Sequence, residues 1–281
     1  MVKINNGLAK VFNDVVIHRT VADIIAKHLS NKRDVRAEAL DELDLSGCHT
    51  LYDLGCGFGF FTSGLHKRVA PDARITGIDC HTRYRDMYLD ASEQAGIKGY
   101  FDPGGVQSIK SIQPGSVDLV ICSYAMYFFP EYINQIARIL HPDGTFITIT
   151  HSCSHLKDFI LLVKSILKKN NIPFQDPFPY EDLVSNFTDE NGFVVLSNVF
   201  GKVRCRPFRG KLIFTTKDYD SFKKYFMFKV SFFIPRHICD DEKVMALILD
   251  NFQRYIMTHG EISITIDDMI FICSDPLVSQ P

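Results

Sequence analysis

The run Leu51-Tyr52-Asp53-Leu54-Gly55-Cys56-Gly57-Phe58-Gly59 decides the fold. Thr50 to Leu54 is a short, mostly apolar run that stops at three glycines in alternate positions. Glycine has no Cβ, so a strand can turn sharply there and its backbone can come close to a ligand. A helix carrying Phe61, Leu65 and Val69 is expected next. Its N-terminus would offer free N–H groups and a positive dipole. Arg74 to Asp79 reads as a second strand, and Asp79 stands 20 residues past Gly59. A carboxylate at that place can accept hydrogen bonds from both hydroxyls of a ribose.

The spacing is G-x-G-x-G. A dinucleotide fold asks for G-x-G-x-x-G, and its third glycine would fall on Phe60. Asp53 precedes the first glycine by two residues, where an acid can reach a cationic amine but not a pyrophosphate. No G-x-x-x-x-G-K-[ST] phosphate loop occurs. A nicotinamide-dependent oxidoreductase is therefore weakly supported.

Outward from the loop, strands and helices alternate. Two amphipathic helices come first, one through Leu8, Phe12, Val15, Val16, Ile24, Ile25 and Leu29, the other from about Val35 to Leu45. Further strands are expected over Gly99–Phe101, Val117–Ser123 and Thr145–Thr150. Helices are expected from Met87 to Ala95 and through Ile133, Ile136, Ala137 and Leu140, with a turn at His141–Gly144. Val117–Ser123 is apolar almost throughout, as a strand buried on both faces should be. The alternation argues for βαβ units and a parallel sheet. Beyond residue 150 the reading gives helices over Leu156–Lys169, Asp218–Lys229 and Asp241–Met257. It gives strands over Phe193–Phe200 and Lys211–Thr216, and a hairpin over Glu261–Cys273 turning at Asp267-Asp268.

Asp53-Leu-Gly-Cys-Gly-Phe-Gly59 resembles the first motif of the class I S-adenosylmethionine-dependent methyltransferases. The resemblance continues through Gly77-Ile-Asp79, Val117-Asp-Leu-Val-Ile-Cys122 and Ile139-Leu-His-Pro-Asp-Gly144, and covers roughly residues 48 to 150. It implies an α/β, Rossmann-like fold: a seven-stranded, mostly parallel sheet with its last strand antiparallel and helices on both faces. It also implies S-adenosyl-L-methionine as cofactor. Gly55, Gly57 and Gly59, with Cys56 between them, would border its methionine part. Asp53 would lie near its amino group, Asp79 would hold its ribose, and Ser123 and Tyr124 would face cofactor and substrate. The family often carries an acid that contacts the adenine amino group. The matching stretch here is Gly104-Gly105-Val106-Gln107, with no acid. Adenine is then expected to rest on backbone groups and on Cys80, Val106 and Gln107.

Methyl transfer from a sulfonium is an in-line displacement, so much of its catalysis can be positioning. A hydroxyl or protonated amine acceptor needs a base. Tyr124 after the fourth strand and His151 after the fifth are the candidate catalytic residues, since strand ends face the ligand in such sheets and histidine can accept a proton at neutral pH. The strand-four exit reads Cys122-Ser-Tyr-Ala125 rather than [ND]-P-P-[YF], which argues against methylation of nucleic-acid bases. No H-x-x-x-H zinc pattern is set on a helix, and no metal ligand is assigned.

The 281 residues hold 31 Lys plus Arg against 33 Asp plus Glu, a net charge of −2. That is not the footprint of a dedicated nucleic-acid binder. The eight cysteines stand at least eight residues apart, so there is no C-x-x-C pair and they read as reduced. The longest near-apolar run, Leu119–Pro130, is too short for a bilayer, and a cytoplasmic location without membrane partner is expected. Of 23 Phe, 15 follow residue 150, and there is no Trp. Phe208, Phe214, Phe222, Tyr225, Phe226, Phe228, Phe232 and Phe233 either pack a core or form an apolar lid over the substrate.

The expected organisation is N-terminal helices over 1–47, a cofactor-binding core over 48–203, a substrate-cap insertion over 204–258 and terminal strands over 259–281. The expected activity is methyl transfer to a small, partly apolar acceptor. A non-catalytic cofactor-binding sensor or partner subunit, and a protein or RNA methyltransferase, stay open as alternatives, as does a homodimer.

Overall fold

The structure, a computed structural model, describes residues 15–277. Leu8 and Phe12, and the side chains of Val15, Val16, Phe232 and Phe233, lie outside what it describes. Its strands in chain order are β1 (Thr50–Leu54), β2 (Arg74–Ile78), β3 (Lys98–Asp102), β4 (Val117–Ser123), β5 (Leu140–His151), β6 (Phe200–Phe208), β7 (Lys211–Thr215), β8 (Glu261–Thr265) and β9 (Asp268–Pro276). The chain divides into two compact units.

The first unit comprises Arg33–Ser152, Asn186–Phe208 and residues 268–277. It is built on a seven-stranded sheet of order β3-β2-β1-β4-β5-β9-β6. The strands β3, β2, β1, β4 and β5 run parallel, and β9 is antiparallel to both β5 and β6. This is the mostly parallel, Rossmann-like sheet that the sequence led us to expect. β4 lies between β1 and β5 and is buried along nearly its whole length, which accounts for its run of apolar residues. The register of β4 against β5 shifts between Val117 and Leu119, opposite the His141–Gly144 stretch read as a turn.

Three local readings are corrected. No α-helix follows the glycine loop, only a four-residue 3-10 turn at Thr62–Leu65. Thr62, Ser63 and Gly64 are all weak helix formers, and Lys67 takes a left-handed φ of 58°. The expected helix dipole is therefore missing. The strand expected over Phe193–Phe200 is a helix, Asp189–Ser197. Thr188 caps it: its Oγ1 accepts from the Glu190 N–H, and its own N–H donates to Asn191 Oδ1. Finally, β8 and β9 do not form a hairpin. β8 pairs with β7, whereas β9 joins the large sheet between β5 and β6.

The second unit comprises residues 15–32, Cys153–Ser185 and Arg209–Asp267. The two-stranded β7–β8 sheet packs there with the helices Lys157–Lys169, Tyr219–Phe233 and Glu242–His259. The core is aromatic. Phe159 stacks on Phe252 with ring centres 5.3 Å apart, and Phe222 and Phe226 each meet Phe252 edge-on at 5.1 Å. Phe214 from β7 closes the cluster 5.6 Å from Phe222. Lys164, on the first of these helices, is buried and pairs with Asp176 and Glu181. Among the described residues no helix is long and apolar enough to cross a membrane.

Candidate active site

The C-terminal end of β1 delivers Asp53 and then the glycine loop. Asp53 is 1% exposed. Its Oδ2 accepts a 2.7 Å hydrogen bond from Thr62 Oγ1, while its Oδ1 is buried and has no partner among the described residues. Burial pushes the carboxyl up to about 7; the Thr62 hydroxyl works against that rise and the nearby Asp79 charge adds to it. A buried carboxylate oxygen without a donor costs free energy until a donor or cation arrives. The loop can admit one. Gly55, Gly57 and Gly59 have φ of 66°, 50° and 82°, which side chains rarely adopt. A Cβ on Gly55 would lie 2.5 Å from the Ala125 Cβ, and one on Gly59 would lie 2.6 Å from the Ala91 Cβ. At Gly57 nothing among the described residues lies within 4 Å of such a Cβ, so this glycine faces open space. Cys56 between them is buried.

Asp79 follows β2 and is half-buried. Its Oδ2 accepts from the Gly57 N–H at 3.0 Å and its Oδ1 from the His81 N–H at 2.8 Å. Burial raises its carboxyl above the usual range, while those two N–H donors pull it back. The structure thus brings the two acids and the three glycines together at the ends of neighbouring strands. Cys80, exposed, follows Asp79 directly. Half-buried Val106 and exposed Gln107 open the turn Val106–Ser111 beyond β3, the neighbour of β2.

The exits of β4 and β5 carry the other candidates. Ser123 ends β4 opposite Ile149 and is half-buried. Tyr124 has a left-handed φ of 56°, uncommon for a bulky residue and a mark of a constrained site. Its hydroxyl donates to Asp268 Oδ2 at 2.8 Å. Burial first, and the Asp268 charge second, hold that phenol far above its ordinary ionisation range, so it stays a donor. His151 ends β5, and its Nδ1 lies 2.8 Å from Asp268 Oδ1. The His151 ring lies 5.0 Å from that of Tyr124 and 5.8 Å from that of Tyr127. Phe60, from the glycine loop, is 6.3 Å from Tyr124. Both proposed catalytic residues therefore converge on one buried carboxylate beside the loop.

Sequence reasoning missed Asp268, which it treated as a turn residue. The available clue was an acid heading an otherwise apolar run, Met269-Ile-Phe-Ile-Cys273. It also missed Thr62, the hydrogen-bond partner of Asp53. Of the rings for which a core or a lid was left open, four pack in a core. Phe214, Phe222, Tyr225 and Phe226 are each at most 2% exposed.

These residues can hold the cofactor that the motifs imply. The unpartnered Asp53 oxygen suits the ammonium of a methionine moiety, and Asp79 beside the open face of Gly57 suits a ribose. The methyltransferase domain family model matches residues 45–192. An uncharacterized methyltransferase of Schizosaccharomyces pombe is 27% identical over 173 residues, 56% of this chain and 64% of that protein. A demethylmenaquinone methyltransferase of Lactococcus lactis is 29% identical over 122 residues, 42% of this chain and 48% of that enzyme. The chain thus spans between about half and two thirds of the length of these curated relatives. In fold it resembles the YcgJ protein of Bacillus subtilis, with a TM-score of 0.53 at 15% identity over 92% of this chain and 98% of that one. Motifs, sheet order and family match agree, and the chain belongs to the methyltransferase domain family of class I S-adenosylmethionine-dependent enzymes.

Proposed function

We propose that this protein transfers a methyl group from S-adenosylmethionine to a small, partly apolar acceptor. The observation that carries the reading is the buried, unpartnered Asp53 oxygen beside a loop of three left-handed glycines. When bound, the cofactor supplies an electrophilic methyl group on a sulfonium. Asp53 holds its ammonium, Gly55, Cys56, Gly57 and Gly59 border its amino-acid end, and Asp79 accepts from its ribose. Cys80, Val106 and Gln107 bracket the adenine, and Ser123 lies at the reacting end. Tyr124 and His151 act on the acceptor.

Support for a partly apolar acceptor has moved. It no longer rests on Phe214, Phe222 and Phe226 of segment 204–258, which fill a core. It rests on the rings of Phe60, Tyr124, Tyr127 and His151 at the β4 and β5 exits, an aromatic wall with a carboxylate behind it. A planar or partly apolar molecule carrying one polar reacting group suits such a wall.

Isothermal titration with S-adenosylhomocysteine tests the cofactor half, and saturable binding is expected. Incubation with methyl-labelled S-adenosylmethionine and a deproteinised metabolite extract tests the other half. Label in a small-molecule fraction is expected. Binding without transferred label would favour a cofactor-sensing role, and absence of binding would end the methyltransferase reading.

A further inference from the structure

We propose that Asp268 is the positioning residue of this site: its carboxylate clamps Tyr124 and His151 together and holds the imidazole in the tautomer whose Nε2 takes the proton of the methyl acceptor. The inference rests on the reading of the site as a methyl-transfer centre and names the chemistry of its acceptor side.

Three adjacent strands build the arrangement. β4, β5 and β9 are neighbours in the sheet. His151 pairs directly with Asp268 across the antiparallel β5–β9 ladder, and Tyr124 donates its N–H to the Ile149 carbonyl at 2.8 Å. Sheet register therefore fixes the contact. A slip of one residue would turn Asp268 to the other face and break it.

Asp268 is 5% exposed, and each of its oxygens meets a different ring donor at 2.8 Å. A buried carboxylate is an acceptor only, and such charge-assisted bonds are strong. The imidazole must then present N–H from Nδ1. A neutral imidazole carries one N–H, so its Nε2 is the basic atom. The Tyr124 hydroxyl occupies the second oxygen and fixes the carboxylate plane. That bond, together with the stacked Tyr127 ring, limits rotation of His151.

This defines the acceptor class as a nucleophile that loses a proton, a hydroxyl or an ammonium. In the proton step the X–H bond of the acceptor breaks, the proton goes to His151 Nε2, and the electron pair stays on X. The Asp268 carboxylate stabilises the imidazolium formed.

The test is a long-range 1H–15N spectrum of the full chain labelled at histidine, at pH 7.5 with S-adenosylhomocysteine present. The His151 signals are assigned by their loss in His151→Gln. The expected spectrum shows Nδ1 protonated and Nε2 as the imine-type nitrogen. Asp268→Ala, checked for folding by thermal melting, should shift most of the population to the Nε2–H tautomer. A wild-type ring found as the Nε2–H tautomer or as imidazolium overturns the proposal. So does a folded Asp268→Ala chain with an unchanged tautomer; should that variant not fold, the wild-type spectrum alone decides. Titration of the wild-type chain with S-adenosylhomocysteine tests the parent reading separately. Binding with the wrong tautomer removes only the Asp268 role, and the right tautomer without binding removes only the methyl-transfer assignment.

Discussion

Asp53 concentrates the electrostatics of the cofactor loop. Its carboxyl ionises near 3.8 when unperturbed and at about 7 in the fold, chiefly because it is buried. Between those values the folded chain holds a proton that the unfolded chain has released. The unliganded protein should therefore lose stability as pH rises from 4 to 7, by roughly 2–4 kcal/mol, and level off above 7. Cofactor binding should run the other way. The ammonium binds the ionised form, so affinity for S-adenosylhomocysteine should fall as pH drops below 7. Asp53→Asn should flatten both profiles, raise the melting temperature of the unliganded chain at pH 8 and weaken binding at least about tenfold. Calorimetry at pH 6, 7 and 8 checks it; a profile in Asp53→Asn identical to wild type would remove this residue from the site.

The glycines allow a sharper separation at the same scale. Gly59→Ala forces a Cβ to 2.6 Å from the Ala91 Cβ and also pays the left-handed strain, so a loss of roughly 3 kcal/mol is expected. Gly57→Ala meets open space and should cost only about 1 kcal/mol of stability. The same open space is where the cofactor would approach, so Gly57→Ala should weaken S-adenosylhomocysteine binding more than its small stability loss suggests. Chemical denaturation and titration of both variants decide. A Gly57→Ala chain with wild-type affinity would place the ligand elsewhere.

At the scale of elements, the helix Tyr219–Phe233 shows what aromatic residues do in the back half. Phe226 is fully buried between Phe159, Phe222 and Phe252. Phe226→Ala should cost about 3–5 kcal/mol. A core role also means that a folded Phe226→Ala chain binds S-adenosylhomocysteine with unchanged affinity. A changed affinity with little loss of stability would reinstate a ligand-facing role. The spacing of Phe222, Tyr225 and Phe226 on one helix face was readable in the sequence, but the partner of that face was not. Periodicity says that a face is apolar; it does not say what covers it. The same limit explains the other misreadings. Val117–Ser123 announced itself because a strand buried on both faces is apolar nearly throughout. Asp189–Ser197 did not, because Phe193 and Val194 are exposed and its cap at Thr188 is a subtler signal than an apolar run. Asp268 was invisible as a site residue because its role comes from cross-strand pairing with His151, more than a hundred residues earlier in the chain.

For the molecule as a whole, the eight cysteines give an internal reporter of where the cofactor binds. All are free thiols. Within the seven-stranded unit, Cys80 and Cys205 are exposed, and Cys56, Cys122 and Cys273 are buried. Burial, and for Cys80 the neighbouring Asp79 charge, raises both exposed thiols above their ordinary range. The thiolate is the reacting species, so alkylation should be slow at pH 7 and quicken toward pH 9. Iodoacetamide at pH 8.5, followed by peptide mass spectrometry, should label Cys80 and Cys205 well before the three buried residues. The two lie at opposite sides of the sheet: Cys80 follows β2, next to one edge, and Cys205 sits on β6, the other edge strand. Saturating S-adenosylhomocysteine should slow Cys80 several-fold, because the adenosine end is proposed to rest beside it, and should leave Cys205 unchanged. Equal slowing of both would indicate a general tightening of the fold rather than a local contact. An unaffected Cys80, with binding confirmed by calorimetry, would move the adenosine away from the β2 exit while leaving the Asp53 end of the site intact.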